Sequence, residues 1–257
     1  MFDLTWEASN IITTWTATGA RLPKSLTAAF ETFEVIRLAK VRHQPSFSLD
    51  GITAHNVEDR LATFAGELIT SLPLSSKSGA VPVSVSTEAK IRAINLAAQA
   101  VIAEAGAAVP AVIESLEPSF RSAVASLTDA VAVLPEGLTA DTLVSGGGAV
   151  LDSYHKALAA ADEITALDMW LALLSKLPDH AEYSAKPVLR VLAPTNISDY
   201  FALAQAPDQL RLRGAYVAAV RLGTEWKLQT PRESAALWSE INRQPVEPKG
   251  QPLLSIR

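Results

Sequence analysis

Apolar residues spaced alternately three and four apart recur through residues 86–134: Ile91, Ile94, Ala98, Val101 and Ala105 form one run, and Phe120, Val124, Leu127, Val131 and Leu134 a second. That spacing keeps side chains on one face of an α-helix and argues against a strand, whose faces alternate at every residue. Each stripe has to be covered by another helix, so the chain is constrained toward packed helices. Gly106, Pro110 and Pro118 separate the two runs and are expected to interrupt the helix.

Further stripes follow the same rule. Val150, Ala157, Ile164, Leu167, Leu171 and Leu174, with Leu151, Tyr154, Leu158 and Ala161 beside them, predict a helix from the run Ser145-Gly146-Gly147-Gly148 to about Leu177. About 30 helical residues would span ~45 Å, which suits an elongated bundle or hairpin. Shorter helices are expected over residues 3–18, ending at Gly19, and over 24–42, with Pro23 before the start and Leu26, Phe30, Phe33, Ile36 and Val41 on the buried side. Another is expected from Asn56, whose side chain can cap the free amides ahead of Glu58 and Asp59, to near Pro73, and a short one from Thr139. Residues 73–85, with two prolines, a glycine and a cluster of serines, read as a linker.

Near residue 185 both the period and the charge change. Residues 1–183 carry 12 Lys and Arg against 21 Asp and Glu, while residues 184–257 carry 10 against 6. Val188-Leu189-Arg190-Val191-Leu192 reads as a short strand, and Thr195 or Asn196 caps a brief helix through Leu203. Leu210, Leu212, Tyr216, Ala218, Val220, Leu222, Trp226 and Leu228 then all fall at even positions. This predicts a hairpin turning at Gly223, in which a three-residue loop pairs Leu222 with Trp226 and keeps one face apolar. The competing reading is a helix from Asp208 to Leu222 stopped by Gly223. Thr230-Pro231-Arg232-Glu233 is a specific helix start, and the proline-rich residues 245–257 read as an extended tail. The expected fold is therefore mainly α: an elongated multi-helix bundle over residues 1–183, a small α+β unit over 184–244 made of a β-hairpin plus helix, and the tail.

Composition limits the chemistry. With no cysteine there is no disulfide, thiolate metal site or cysteine nucleophile, and the cytoplasm is the expected compartment. The first residues are acidic and lack the basic start and apolar run of a secretory signal. Charged residues are expected to break every apolar stretch before the roughly 18 residues a membrane span needs. Alanine, about one residue in six against ~8% in average proteins, favours helices that approach closely.

No motif of high specificity is present. Asp152 and His155 share a helix face, with Asp162 and Glu163 two turns on, but the second carboxylate-histidine pair of a helical di-metal site is missing. Asp179, His180 and Glu182 form a loop cluster, and His43 and His55 complete the histidines. Ser145-Gly146-Gly147-Gly148 lacks the Lys-Ser/Thr ending of a phosphate loop, so a hinge or close helix packing is the expected role. Neither metal nor cofactor is expected.

The strongest interaction candidates are Arg211, Arg213, Arg221 and Lys227, which the strand reading aligns on one face of a ribbon, with Lys186, Arg190 and Arg232 nearby. Such a face meets solvent, or an acidic protein surface such as a neighbouring copy, before nucleic acid. These features point to a non-enzymatic structural or assembly protein that works through protein-protein contacts as a homo-oligomer. Arginine outnumbers lysine 13 to 9 beside abundant alanine, a style shared with high-GC bacteria and their phages, so a virion or particle-assembly component is its concrete form. The alternatives are an enzyme whose site gathers Asp152, His155 and Asp162, and a nucleic-acid adaptor that uses the basic ribbon.

Overall fold

Helices account for nearly all the regular structure. The computed structural model describes residues 4–40, 48, 50–53, 55–73, 84–183 and 186–243. Among them run helices α1 (Leu4–Ala17), α2 (Lys24–Leu38), α3 (Val57–Ser71), α4 (Val85–Val133), α5 (Ala140–Ser145), α6 (Gly147–Leu174), α7 (Ile197–Ala204), α8 (Gly214–Leu222) and α9 (Pro231–Arg243). A 3-10 turn at Pro187–Arg190 and two short strands, β1 (Leu192–Ala193) and β2 (Glu225–Trp226), complete the described elements. The mainly α bundle with a small α+β region is thus what the chain forms.

Contacts divide the chain into two units, one of Met1–Ile12 with Lys24–Glu104 and one of Thr13–Pro23 with Ala105–Arg257. In the first, Leu26 and Phe33 of α2 and Ala97, Ala98, Val101 and Ile102 of α4 are buried. Phe30 and Phe33 stack at 5.9 Å between ring centroids, and Lys90 Nζ donates to the Ala39 carbonyl at 2.6 Å. Pro73 and Ser84 lie side by side, with Val85 N donating to Leu72 O at 3.2 Å; the rest of the expected linker, residues 74–83, lies outside the described residues. In the second unit the core gathers Val109, Val112, Leu116, Phe120 and Leu127 of α4 and Ile164, Trp170, Leu171 and Leu174 of α6. Trp15 meets Trp170 edge to face at 5.5 Å, a favoured aromatic geometry.

Three expectations are corrected. First, Pro110 and Pro118 sit inside α4, which continues through both. An internal proline costs about 3 kcal/mol. Burial of Val109, Val112, Leu116 and Phe120, at roughly 1.5–3 kcal/mol each, exceeds that cost. Gly106 serves close approach here, because a Cβ on it would lie 3.2 Å from Asp179 Oδ2. The continuous helix α4 is, by length and composition alone, long and apolar enough to cross a membrane, although Glu104 and Glu114 break its apolar run as expected.

Second, the strands are not where alternation put them. Residues 187–190 form the 3-10 turn, with Pro187 at its start. Residues 214–222 are helix, ended by Gly223 in the left-handed conformation at φ 64°. The antiparallel pair is β1 with β2, Leu192 opposite Trp226. Third, Asn56 occupies the cap position of α3 but does not cap it. Its Oδ1 accepts from Thr53 N at 2.8 Å and its Nδ2 donates to Gly51 O at 3.0 Å, so it closes the preceding turn instead.

Other caps form as read. Asn196 Oδ1 accepts from Asp199 N at 2.9 Å at the start of α7. At α9, Thr230 Oγ1 accepts from Glu233 N at 3.2 Å while Glu233 Oε2 accepts from Thr230 N at 2.9 Å, the reciprocal capping box. Burial alone would raise the Glu233 pKa, but the Thr230 amide and hydroxyl and the Lys227 ammonium outweigh it and hold the carboxyl below its ordinary range. The tail at 245–257 lies outside the described residues.

Candidate functional site

Among the described residues, charged side chains enter the core of the second unit at one place. Asp168 lies on the buried stripe of α6 between Leu167 and Trp170 and is only 2% exposed. Both its oxygens are used: Arg190 Nε donates to Oδ1 at 2.6 Å, Arg190 Nη2 to Oδ2 at 3.1 Å, and Arg213 Nη1 to Oδ2 at 3.0 Å. The 3-10 turn places Arg190, and the residue before α8 places Arg213. Arg213 also lies over the Tyr216 ring, 5.5 Å from its centroid. Burial, with the Asp168 charge behind it, pushes the Tyr216 phenol above its ordinary range and keeps it protonated. Arg213 loses some preference for its charged form to burial and more than regains it from Tyr216 and Asp168. Two fork-shaped cations on one carboxylate leave this cluster satisfied from within. It clamps the 3-10 turn and the start of α8 to α6.

A second buried polar group works beside it. Gln229 Nε2 donates to the carbonyls of Leu189 and Leu192 at 2.9 and 3.1 Å, and its backbone N donates to Arg190 O at 2.9 Å. Gln229 therefore secures the backbone on both sides of Arg190. Nothing in the sequence pattern marked it, whereas Asp168 carried a signal: a lone carboxylate in the Ile164, Leu167, Leu171, Leu174 stripe.

The described surface of this unit holds a groove of about 600 Å³ with Ile113, Trp226 and Leu228 along it and Glu114, Glu117, Glu225 and Glu233 among its lining. Arg121 pairs with Glu117 at 2.8 Å and Lys227 with Glu233 at 3.2 Å. A smaller hollow of about 270 Å³ is lined by Thr18, Ser119 and Glu163. The groove's polar lining is carboxylate, paired cation and Thr230, whose hydroxyl is taken by the capping box of α9.

The four cations of the expected ribbon go to separate tasks. Arg213 belongs to the Asp168 cluster. Arg221 donates to the carbonyls of Glu136 and Pro135 at 3.0 and 2.9 Å, holding the connection between α4 and α5. Lys227 takes Glu233. Arg211 is exposed in a tight turn where Gln209 and Leu212 bridge, at φ 72°, next to Leu210 at φ 45°. Two successive non-glycine residues in the left-handed region are strained. Tyr154 Oη donates to Leu210 O at 2.6 Å and steadies that turn. With residues 214–222 helical, the flat basic ribbon does not form.

Asp152, His155 and Asp162 are all exposed on α6. His180 is half-buried, with its Nδ1 buried and without a hydrogen-bond partner. Among the described residues no three histidine or carboxylate side chains come together as metal ligands. His43 lies outside the described residues. In the Gly146-Gly147-Gly148 run, Gly147 takes φ 73° and a Cβ on Gly146 would meet Val150 at 2.7 Å, while Gly148 faces open space. Turn geometry and close packing account for the first two.

Exposed apolar side chains concentrate elsewhere, on the first unit. α3 buries none of its side chains fully: Val57 and Phe64 are half-buried, while Leu61, Leu68 and Ile69 are 51%, 43% and 59% exposed. Comparison of the chain with family models, characterised proteins and solved structures finds no match.

Proposed function

We propose that this protein is a non-enzymatic structural or assembly component that acts through protein-protein contacts, chiefly with copies of itself. The observation that carries the reading is α3. A 15-residue helix is marginal in water unless its apolar face is packed. Here Leu61, Leu68 and Ile69 stay exposed, at a cost of about 0.8 kcal/mol for each CH2 group left in water. Val35 and Leu38 of α2 and Leu96 of α4, exposed in the same unit, add to the apolar surface. Exposed apolar patches of this kind mark interaction sites.

The charged clusters support the same reading, since Asp168, Arg190, Arg213 and Gln229 are spent on holding the fold. A particle or virion component is the form that the alanine-rich, arginine-rich composition suggests, and the cytoplasm or a virion is the corresponding location. Sedimentation velocity across a concentration series, at low and high salt, tests the proposal. It predicts a species of at least twice the 27.3 kDa chain mass, retained at high salt because the contact is mainly apolar. A 27.3 kDa species at every concentration and both salts would refute it.

A further inference from the structure

We propose that the Leu210-Arg211 turn of one copy enters the groove beside α4 of a second copy. This contact lies on the second unit, is separate from α3, and rests on the reading that copies of the chain associate. Gln209 and Leu212 exchange two backbone hydrogen bonds, each 2.9 Å, around Leu210 and Arg211. With φ at 45° and 72°, these two residues occupy positions where a tight hairpin turn normally places Asn-Gly. The chain instead sets a leucine and an arginine there, accepts the strain, and leaves both side chains exposed. The turn is held in shape before any encounter: Tyr154 Oη donates to Leu210 O at 2.6 Å, and Leu138 N donates to Gln209 Oε1 at 3.3 Å. A tip fixed in this way loses little freedom on docking.

The groove matches that tip in room and in charge. Pro110, Ile113 and Trp226 give it an apolar wall, and its volume of about 600 Å³ accommodates both side chains. Of its four carboxylates, Glu117 is taken by Arg121 and Glu233 by Lys227. Glu114 and Glu225 are exposed with no cation among the described residues, and Arg211 has no carboxylate among them. Leu210 therefore lies against Ile113 and Trp226, while the five N–H donors of Arg211 meet Glu114 and Glu225. A copy does not fill its own groove. The turn rests on Leu138, beyond the end of α4, whereas the groove flanks residues 110–121, so at least ~18 Å of helix lies between them. Nucleic acid is the wrong occupant, because the groove's unpaired charges are negative. Turn and groove are different patches, so the contact is heterologous and can pass from copy to copy, as an assembly component requires.

The absence of cysteine gives a clean test. Full-length Leu210→Cys and Ile113→Cys proteins each carry a single thiol and keep Arg211, Glu114 and Glu225. Mixed and oxidised, they should form a disulfide-linked dimer at least about tenfold more abundant than either gives alone, with the bond mapped between positions 210 and 113. Arg211→Glu in the first protein should lower the mixed product roughly tenfold, and Glu225→Arg in the second should restore most of it. In the otherwise unaltered chain, Leu210→Asn with Arg211→Gly relieves the turn. Its unfolding midpoint should rise by roughly 2–4 °C while the salt-sensitive part of self-association is lost. A raised midpoint with undiminished association would overturn the proposal. If the wild type self-associates but the mixture cross-links no better than the single proteins, this contact is wrong and the broader reading stands. If the wild type is a monomer and the mixture does not cross-link, both fall. Loss of association with Glu225→Arg but not with Arg211→Glu would give the groove to another segment and overturn the proposal.

Discussion

Replacement of Asp168 by alanine should destabilise the second unit by about 3–5 kcal/mol, seen as a fall of roughly 10 °C in its unfolding midpoint. The substitution leaves Arg190, whose side chain is only 15% exposed, with a buried charge and no carboxylate. A buried ion pair contributes little net stability while intact, because desolvation offsets attraction, yet breaking one side is expensive. Alanine's better helix propensity returns only a few tenths of a kcal/mol. Arg190→Ala should be comparably harmful, and Arg213→Ala, at 43% side-chain exposure, clearly milder. Thermal or urea unfolding of the three variants checks the order. A loss under about 1 kcal/mol for Asp168→Ala would show that the cluster does not clamp the unit.

Gly214→Ala should be as damaging, for a different reason. Gly214 opens α8 where the chain passes against residues 206–208, and an added Cβ would lie 2.3 Å from Pro207 O and 2.4 Å from Ala206 O. Backbone oxygens cannot turn aside as a side chain can, so the loop must move. That movement would break the 2.8 Å bond from Gly214 N to Asp208 Oδ1. We expect a loss of about 3 kcal/mol, at the upper end for overpacking. Gly148→Ala is the matched control: its Cβ would meet nothing within 4 Å, and the exchange should add up to about 1 kcal/mol through helix propensity. Equal stabilities for the two variants would contradict the contact at Gly214.

Why one glycine is indispensable and another idle could not be read from the sequence, because the difference lies in what approaches each from elsewhere in the chain. The same holds for Gln229. Local signals fared better. The three-four stripes gave the helices, and Thr230-Pro231-Arg232-Glu233 gave the start of α9 together with its reciprocal hydrogen bonds. The prolines of α4 misled because local cost was set against a burial term that only the packed structure supplies. Residues 210–222 misled differently. Tyr216, Val217, Ala218, Ala219 and Val220 form a continuous apolar run in which any period can be found. The buried positions Leu212, Tyr216 and Ala219 have helical spacing, and the Gly223 stop is the more specific signal. Once that segment coils, Arg211, Arg213 and Arg221 leave the common face that alternation gave them. The most informative charge, Asp168, went unremarked although it interrupts an apolar stripe, and Arg190 and Arg213 were read as surface cations rather than as its partners.

Native-state hydrogen exchange of the α3 amides at several protein concentrations tests the central claim most directly, that this helix is a self-association surface. Between roughly 1 and 100 μM, protection across residues 61–71 should rise as copies associate, while amides of Ile164–Leu174 in the packed core stay unchanged. Exchange from α3 that is the same at every concentration would contradict the account.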